Sequence, residues 1–177
     1  MKLRLLPVLT SVIVSSAVLF GGWFLYDSLA MENPLSRIVA EQPGIEQSQV
    51  SIGGDAVTVE LTPKPDANIR EIYKSIVDQG GSIIGDRDVE LIVRDSSTPE
   101  LDRWWSNALF EVAEAMESKR YAAIPAALEA KKGTYPGLSV STEMDDTYVY
   151  VHLTDGQHDK FLQLPRKPRQ MGVWPNE

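Results

Sequence analysis

The sequence predicts an α+β protein in which an N-terminal transmembrane helix precedes one or two ferredoxin-like two-layer sandwiches. Three patterns support this prediction: an uncharged run over residues 5–26, alternation of apolar and polar residues over 57–61, and an apolar stripe with helical spacing over 69–77. They are typical of a membrane span, a half-buried strand and an amphipathic helix. Because an apolar helix face needs a sheet to cover, the last two favour a two-layer packing.

The N-terminal run has the features of a membrane anchor. A helix rises about 1.5 Å per residue, so residues 5–26 are long enough to cross a hydrocarbon core of about 30 Å. Lys2 and Arg4 precede the run, and Asp27 follows it. Since positive charge stays on the cytoplasmic side, residues 1–4 are expected inside and the rest of the chain outside the membrane.

A cleaved signal peptide is the alternative interpretation of the same run. Ser28 and Ala30 have the small side chains that a cleavage site requires, which would release a secreted protein after cleavage near Ala30. The apolar core of a signal peptide is typically about 7–15 residues, shorter than residues 5–26. The length therefore favours a retained single-pass signal-anchor.

Composition excludes several kinds of site. The 177 residues include no cysteine, which rules out disulfides, zinc–thiolate sites and thiol nucleophiles. The net charge of −8 is unlike that of a nucleic-acid-binding protein, which is usually basic on one face. No nucleic-acid partner and no cofactor are therefore expected.

Residues 34–95 form the first predicted α+β module. A short helix starts after Asn33, and residues 50–61 form a β-hairpin around the turn at 53–55. The stripe over residues 69–77 then predicts a helix capped by Asp66.

The end of this module is predicted to contain another strand pair. Gly80 and Gly81 are expected to end the helix. Residues 83–84 and 89–93 are then expected to form two strands around a turn at 85–88, which gives the element order α-β-β-α-β(β).

Residues 98–165 form the second predicted module. Ser97 and Glu100 have the spacing of a capping box and start a long helix that reaches about Lys119. A short helix from Pro125 to Gly133 follows, and three strands are expected near residues 138–140, 149–153 and 161–164. Residues 166–177 are expected to be an irregular basic tail.

The two modules share a pattern that suggests an internal repeat. In both halves a Pro-Gly-aliphatic sequence, at residues 43–45 and 136–138, precedes a hairpin that ends in V-x-V-x-L-T, at 57–62 and 149–154. A duplication would explain the pattern. Two ordinary hairpins that happen to look alike remain the alternative.

The order of these elements resembles a family of small envelope modules. A membrane segment, a helix, Pro-Gly-aliphatic, a hairpin and an amphipathic helix are similar to the ring-building motifs of bacterial secretion and sporulation channels and to BON-type domains. The resemblance covers residues 34–93 well and 125–164 partly, and implies an anchored interaction module rather than a catalyst. The long helix over 98–119 departs from it. The matching positions are Ile38, Pro43, Gly44, Ile45, Val57, Val59, Leu61, Ile69, Ile72 and Ile76.

Three aromatic side chains and three basic ones are the candidate partner-binding residues. Adjacent helical residues point about 100° apart, so Trp104 is expected beside the core stripe that contains Trp105, where it is either an exposed anchor or part of a wide core. Tyr148 and Tyr150 are expected on a sheet face that is either open to a partner or covered by a helix. The basic candidates, which are either a site for an acidic partner or a solvated tail, are Arg166, Lys167 and Arg169.

The expected function is that of a non-catalytic, membrane-anchored extracytoplasmic module, a structural or assembly component of a bacterial envelope complex. Its expected partners are other envelope or membrane proteins, or a second copy of itself, and residues 5–26 contact the membrane. A ligand-sensing or inhibitory domain and an enzyme of cell-wall or protein processing are the alternatives. His152 and His158 are expected to be ordinary hydrogen-bonded or solvated residues, and no catalytic or metal-ligating residue is assigned.

Overall fold

The computed structural model describes residues 5–27 and 33–167. The predicted cytoplasmic residues 1–4, the cleavage position at Ala30 and the tail residue Arg169 lie outside them. The elements are α1 (Leu5–Asp27), α2 (Asn33–Ala40), β1 (Ile45–Ile52), β2 (Ala56–Pro63), α3 (Ile69–Ile84), β3 (Asp88–Val93), α4 (Pro99–Glu117), α5 (Ala123–Lys132), β4 (Ser139–Met144), β5 (Tyr148–Thr154) and β6 (Asp159–Pro165).

The α+β prediction is confirmed, with two small sheets rather than larger sandwiches. The first sheet has the order β1-β2-β3, in which β1 and β2 form an antiparallel hairpin and β3 is parallel to β2. The second sheet is an antiparallel meander with the order β4-β5-β6. A ferredoxin-like module has four strands in the order β-α-β-β-α-β. Each sheet here has three, so the structure differs from that plan.

The hairpins predicted in both halves are present, and they share a local geometry. The V-x-V-x-L-T segments form β2 and β5, which are the central strands of their sheets. Gly44 and Gly137 both adopt positive φ, 88° and 86°, so both Pro-Gly pairs need a residue without a Cβ. The halves diverge after the hairpin, because α3 separates β2 from β3 whereas a short turn joins β5 to β6.

The first core lies between the β1-β2-β3 sheet and helices α2 and α3. Val57, Val59 and Leu61 alternate along β2 and are fully or nearly fully buried, as strand periodicity requires. Leu35 of α2 and Ile76 of α3 pack against this face. On the other face of β2 lie the half-buried polar residues Thr58, Glu60 and Thr62.

The second core lies on one face of the β4-β5-β6 sheet, under α4 and α5. Val149, Val151 and Leu153 are its β5 residues. Leu101 and Leu128 supply fully buried side chains from the two helices. The long helix and the short helix predicted in this half are therefore both core-forming elements.

The predicted strand pair at the end of the first module is wrong. Helix α3 continues through Gly80 and Gly81 to Ile84, so residues 83–84 are helical, and within residues 85–95 the structure has the single strand β3. A Cβ on Gly80 would lie 2.7 Å from Leu35 Cδ1, which shows that this glycine allows α2 to approach α3 closely. The helix ends at Gly85, whose φ is 63° and whose N–H donates to Gly81 O.

Both predicted helix caps are displaced along the chain. Asn68, rather than Asp66, caps α3 by accepting a hydrogen bond of 3.0 Å from the N–H of Glu71. Thr98, rather than Ser97, caps α4 and accepts from the N–H of Leu101 at 3.2 Å. Each cap accepts from the backbone N–H of the residue three positions on, which is the usual geometry at a helix start.

Helix α1 covers the run that the sequence assigns to a membrane anchor and has 23 residues. Its described side chains are those of residues 9–23. Over the part of the chain that the structure describes, no helix is both long enough and apolar enough to cross a membrane.

Candidate interaction site

Trp104 is buried, so of its two predicted alternatives the structure shows the wide core and not the exposed anchor. Its side chain is 7% exposed, and its indole N–H donates to Thr134 Oγ1 at 3.1 Å and to Lys131 O at 3.4 Å. Helix α5 packs beside α4 and widens the buried stripe, so that both Trp104 and Trp105 belong to the second core. The exposed aromatic residue of α4 is Phe110, at 79%.

Tyr148 and Tyr150 are also buried, which corrects their assignment to an open face. They lie on the face of β5 opposite the second core, and helix α3 of the first module covers them. The rings of Tyr73 and Tyr148 meet edge to face with centroids 5.1 Å apart. Burial, followed by the hydrogen bond to Asp145, raises the pKa of the Tyr150 hydroxyl. The helix-covered alternative for this face is therefore confirmed.

Arg166 is part of the fold rather than of a free basic tail. Its Nη1 donates to Asp145 O at 2.6 Å, and its guanidinium carbon lies 4.7 Å from the centroid of the Tyr121 ring. Lys167 is exposed. Of the predicted basic group, Arg166 thus fixes the β4–β5 turn, and Lys167 alone among the described residues is available at the surface.

Asp145 organises the β4–β5 turn. Its Oδ1 accepts from the N–H groups of Thr147 and Tyr148, both at 2.7 Å, and its Oδ2 accepts from the Tyr150 hydroxyl at 2.7 Å. Burial pushes the pKa of the carboxyl upward, but the three hydrogen bonds and the charge of Arg70 outweigh it and hold the pKa below its usual range. The ionised form is therefore the one that the folded turn stabilises.

Asp145→Asn is expected to destabilise the protein at pH 7 more than at acidic pH. A depressed folded-state pKa contributes stability that is present above the unfolded value of 3.8 and is lost as the pH falls through the folded value. Urea unfolding should therefore show a difference between wild type and variant at pH 7 that shrinks below about pH 4. Asp146→Asn, next to it and fully exposed, is the control and should change little. A difference of equal size at both pH values would contradict the assignment.

Strand β4 has an open edge. In the second sheet it pairs with β5 alone, in a regular register from Ser139↔Thr154 to Met144↔Val149. The N–H of Asp145 donates to Tyr148 O at 3.0 Å. Because antiparallel partners alternate, Ser139, Ser141 and Glu143 direct their backbone groups to β5, while Val140, Thr142 and Met144 direct theirs outward. We call this outer side of residues 139–144 the β4 edge.

A cleft of about 240 Å³ lies on one face of the β4 edge, between β4 and the start of α3. Both polar and apolar residues line it, and we call it the polar cleft after its charged residues Asp66, Arg70 and Glu143. Glu143 Oε1 accepts from Asn68 Nδ2 at 3.2 Å, and its Oε2 is 3.7 Å from Arg70 Nη1. Ser141 and His152 also line the cleft. Glu143 therefore connects β4 of the second module to the start of α3 in the first. Its side chain is still 36% exposed.

An apolar cleft of about 230 Å³ lies on the other face of the β4 edge. Met144, 47% exposed, forms its floor with Val149 of β5. Its wall is formed by the end of the α4–α5 connection and the first turn of α5, with Tyr121, Ala122, Ile124 and Pro125. The β4 edge thus has a polar recess on one side and an apolar recess on the other.

The two histidines are held by aspartates. His152 Nε2 lies 2.8 Å from Asp159 Oδ1, and its ring stacks on Phe161 with centroids 4.1 Å apart. His158 Nδ1 lies 3.3 Å from Asp155 Oδ2. Within the described ranges no group of three or more histidine and carboxylate side chains is arranged to hold a metal ion. These contacts agree with the interpretation of both histidines as hydrogen-bonded residues.

The β4 edge was not among the predicted site residues. The alternation of Val140, Thr142 and Met144 was readable as a strand, but which strand would end a sheet depends on pairing between distant segments. The resemblance to ring-building motifs and BON-type domains rests on the sequence positions given above. Comparison of the chain with protein-family models, with curated proteins and with solved structures gave no match.

Proposed function

We propose that this protein is a non-catalytic, membrane-anchored module that binds other proteins on the outer side of the cytoplasmic membrane, as a structural or assembly component of a bacterial envelope complex. The observation that carries the proposal is the open β4 edge, which has a cleft on each face. Main-chain pairing at such an edge gives affinity, and side-chain recesses beside it give specificity. The two cores hold this edge on a rigid support, as an interaction site requires.

The apolar surface of α1 supports the anchor. Val18, Leu19 and Phe20 expose two thirds or more of their surface, with Leu19 at 72%. Exposing apolar surface to water costs about 25 cal/mol per Å², which a hydrocarbon environment removes. Lys2 and Arg4 before the helix support an N-terminus inside the cell. Such a tether raises the effective concentration of the module near other membrane proteins, so modest contacts suffice for binding.

A ligand-sensing or inhibitory domain is the second candidate function. The polar cleft favours it, because Asn68, Arg70 and Glu143 converge there between the two modules. A small polar ligand that bridged α3 and β4 would raise the melting temperature of the full chain by mass action. A screen of small polar compounds by thermal unfolding distinguishes this function from protein binding.

Fractionation of cells that express the full chain tests the anchor. We expect the protein in the membrane fraction after an alkaline carbonate wash, with residues 33–167 accessible to protease only from outside. Leu19→Arg should shift protein from the membrane fraction to the soluble fraction, since a charge inside a span costs up to about 2.5–3.5 kcal/mol. Phe110→Arg, an equally exposed position on α4, is the control and should stay in the membrane.

Two results would contradict the anchor. One is a full-length wild-type chain in the cytosolic fraction. The other is a mature N-terminus near residue 31 in mass spectrometry, which would instead support the secreted alternative.

A further inference from the structure

We propose that the β4 edge binds an extended segment of a partner protein, with alternating basic and apolar side chains, as an added strand of the β4-β5-β6 sheet. This inference rests on the proposed function as an interaction module and names the class of partner.

The edges of β3 and β6 are occupied. Strands β3 and β6 lie next to each other across a cleft lined by Leu91 and Gln163. Farther along β6, Asp95 Oδ2 accepts from Phe161 N–H at 2.9 Å, and Ser96 Oγ accepts from Asp159 N–H at 2.8 Å. These side chains saturate donors that an added strand would need. An incoming strand is therefore excluded from this side of the second sheet.

The edge of β1 differs from the β4 edge in both regularity and surroundings. Its register shifts between Ile45 and Gln47, and such an irregularity disturbs strand addition. The cleft beside it is lined by polar residues, including Gln49 and Arg94. The β4 edge has no register shift and contains neither proline nor lysine, the residues that commonly protect an edge.

The β4 backbone is oriented for pairing. The outward N–H and C=O groups of Val140, Thr142 and Met144 recur at every second residue, as antiparallel addition requires. A six-residue strand extends about 20 Å, which is the length of a typical strand in a sheet. A partner strand of the same length can therefore pair along the whole edge.

The side chains beside the edge define the partner's sequence pattern. Alternate residues of an added strand point to opposite faces, so one set reaches the apolar cleft at Met144 and the other lies beside Glu143. Cross-strand neighbours of opposite charge stabilise a sheet. Asp66 lines the same cleft as Glu143, and Arg70 is the one cation among the described residues that line it. Asp146, beyond the end of β4, is paired with Arg166 at 3.9 Å, and the whole chain carries −8. A basic residue therefore fits the polar side and an aliphatic residue fits the apolar side.

The test measures binding of a synthetic peptide to the full chain in detergent micelles. The probe alternates lysine and valine, and fluorescence anisotropy reports its affinity. We expect saturable binding that weakens as salt rises, because part of the attraction is between charges. A peptide with glutamate in place of lysine should bind at least about tenfold more weakly. The lysine–valine peptide with N-methyl groups on its pairing side should not bind, because it cannot form a ladder. Equal affinity for all three peptides would overturn the inference.

Two variants of the protein locate the site. Met144→Asp should weaken binding about tenfold or more, since it places a charge in the apolar cleft. Ile92→Asp, at 48% exposure on the first sheet, is the matched control for Met144 at 47% and should bind like wild type. Thr142→Pro removes an outward N–H and should abolish binding. Far-UV circular dichroism establishes that each variant is folded. Wild-type affinity in both β4 variants would overturn the inference.

The outcome separates this inference from the proposed function. If the peptide does not bind while the membrane-anchored chain still captures envelope proteins, the inference is wrong and the proposed function stands. If the chain instead forms concentration-dependent dimers that Thr142→Pro abolishes, and the peptide does not compete, the β4 edge pairs with a second copy and the assignment to a basic–apolar partner is overturned.

Discussion

Trp104→Ala is expected to lower the free energy of unfolding by about 3–5 kcal/mol, the usual cost of removing a large buried aromatic side chain. Trp104 is 7% exposed and packs between α4 and α5. Its loss also leaves the hydroxyl of Thr134 without the indole donor. Urea unfolding followed by far-UV circular dichroism measures the change.

Phe110→Ala is the matched control for this variant. Phe110 lies on the same helix and is 79% exposed, so its replacement should change the stability by no more than about 0.5 kcal/mol. If Trp104→Ala left the stability unchanged but abolished binding to other proteins, Trp104 would be a surface anchor after all. The pair of variants therefore decides between a structural and a binding role for the aromatic residues of α4.

Ile76→Ala is expected to lower the stability of both halves of the protein together, by about 2–5 kcal/mol. Ile76 is fully buried in the first core, but Tyr148, Tyr150 and Phe161 of the second sheet belong to that core too. Because β5 has one face in each core, loss of packing in one core should also destabilise the other. The two halves should therefore unfold in a single transition.

Two probes on the same samples test this coupling. With Trp23 and Trp174 replaced by phenylalanine, tryptophan fluorescence reports on the second core through Trp104 and Trp105, and circular dichroism reports on both halves. In Ile76→Ala the two unfolding curves should coincide and shift by the same amount. Leu153→Ala, at a fully buried position of the second core, is the companion variant and should give the same coincidence. Separate transitions for the two probes would show that the halves are independent.

The buried stripe of α4 shows where sequence reasoning succeeds and where it stops. The helical spacing and the capping residues near Thr98 predict a long helix here, and the helix is present at Pro99–Glu117. Helical spacing from Leu101 predicts the large residue Leu109 for the core, whereas Leu109 is 40% exposed and the small residues Ala108 and Ala115 are buried. Small residues are buried where another helix approaches closely, and that neighbour lies elsewhere in the chain.

The same limit explains the error at α3. Paired glycines usually end a helix, and the sequence offers Gly80 and Gly81 for that role. In the structure Gly80 is an interior residue that makes room for Leu35. A contact between residues so far apart in sequence is invisible to a local pattern.

Apart from the end of α3, the sequence by itself determined the elements: helical and strand periods, turn residues and caps within two positions are local properties of neighbouring residues. The tertiary structure decided which faces are covered. Tyr148 and Tyr150 alternate correctly along β5, but only the packing of α3 against them makes that face a core rather than a binding surface. The open edge of β4 was decided in the same way, because an edge exists only where no other strand of the fold pairs.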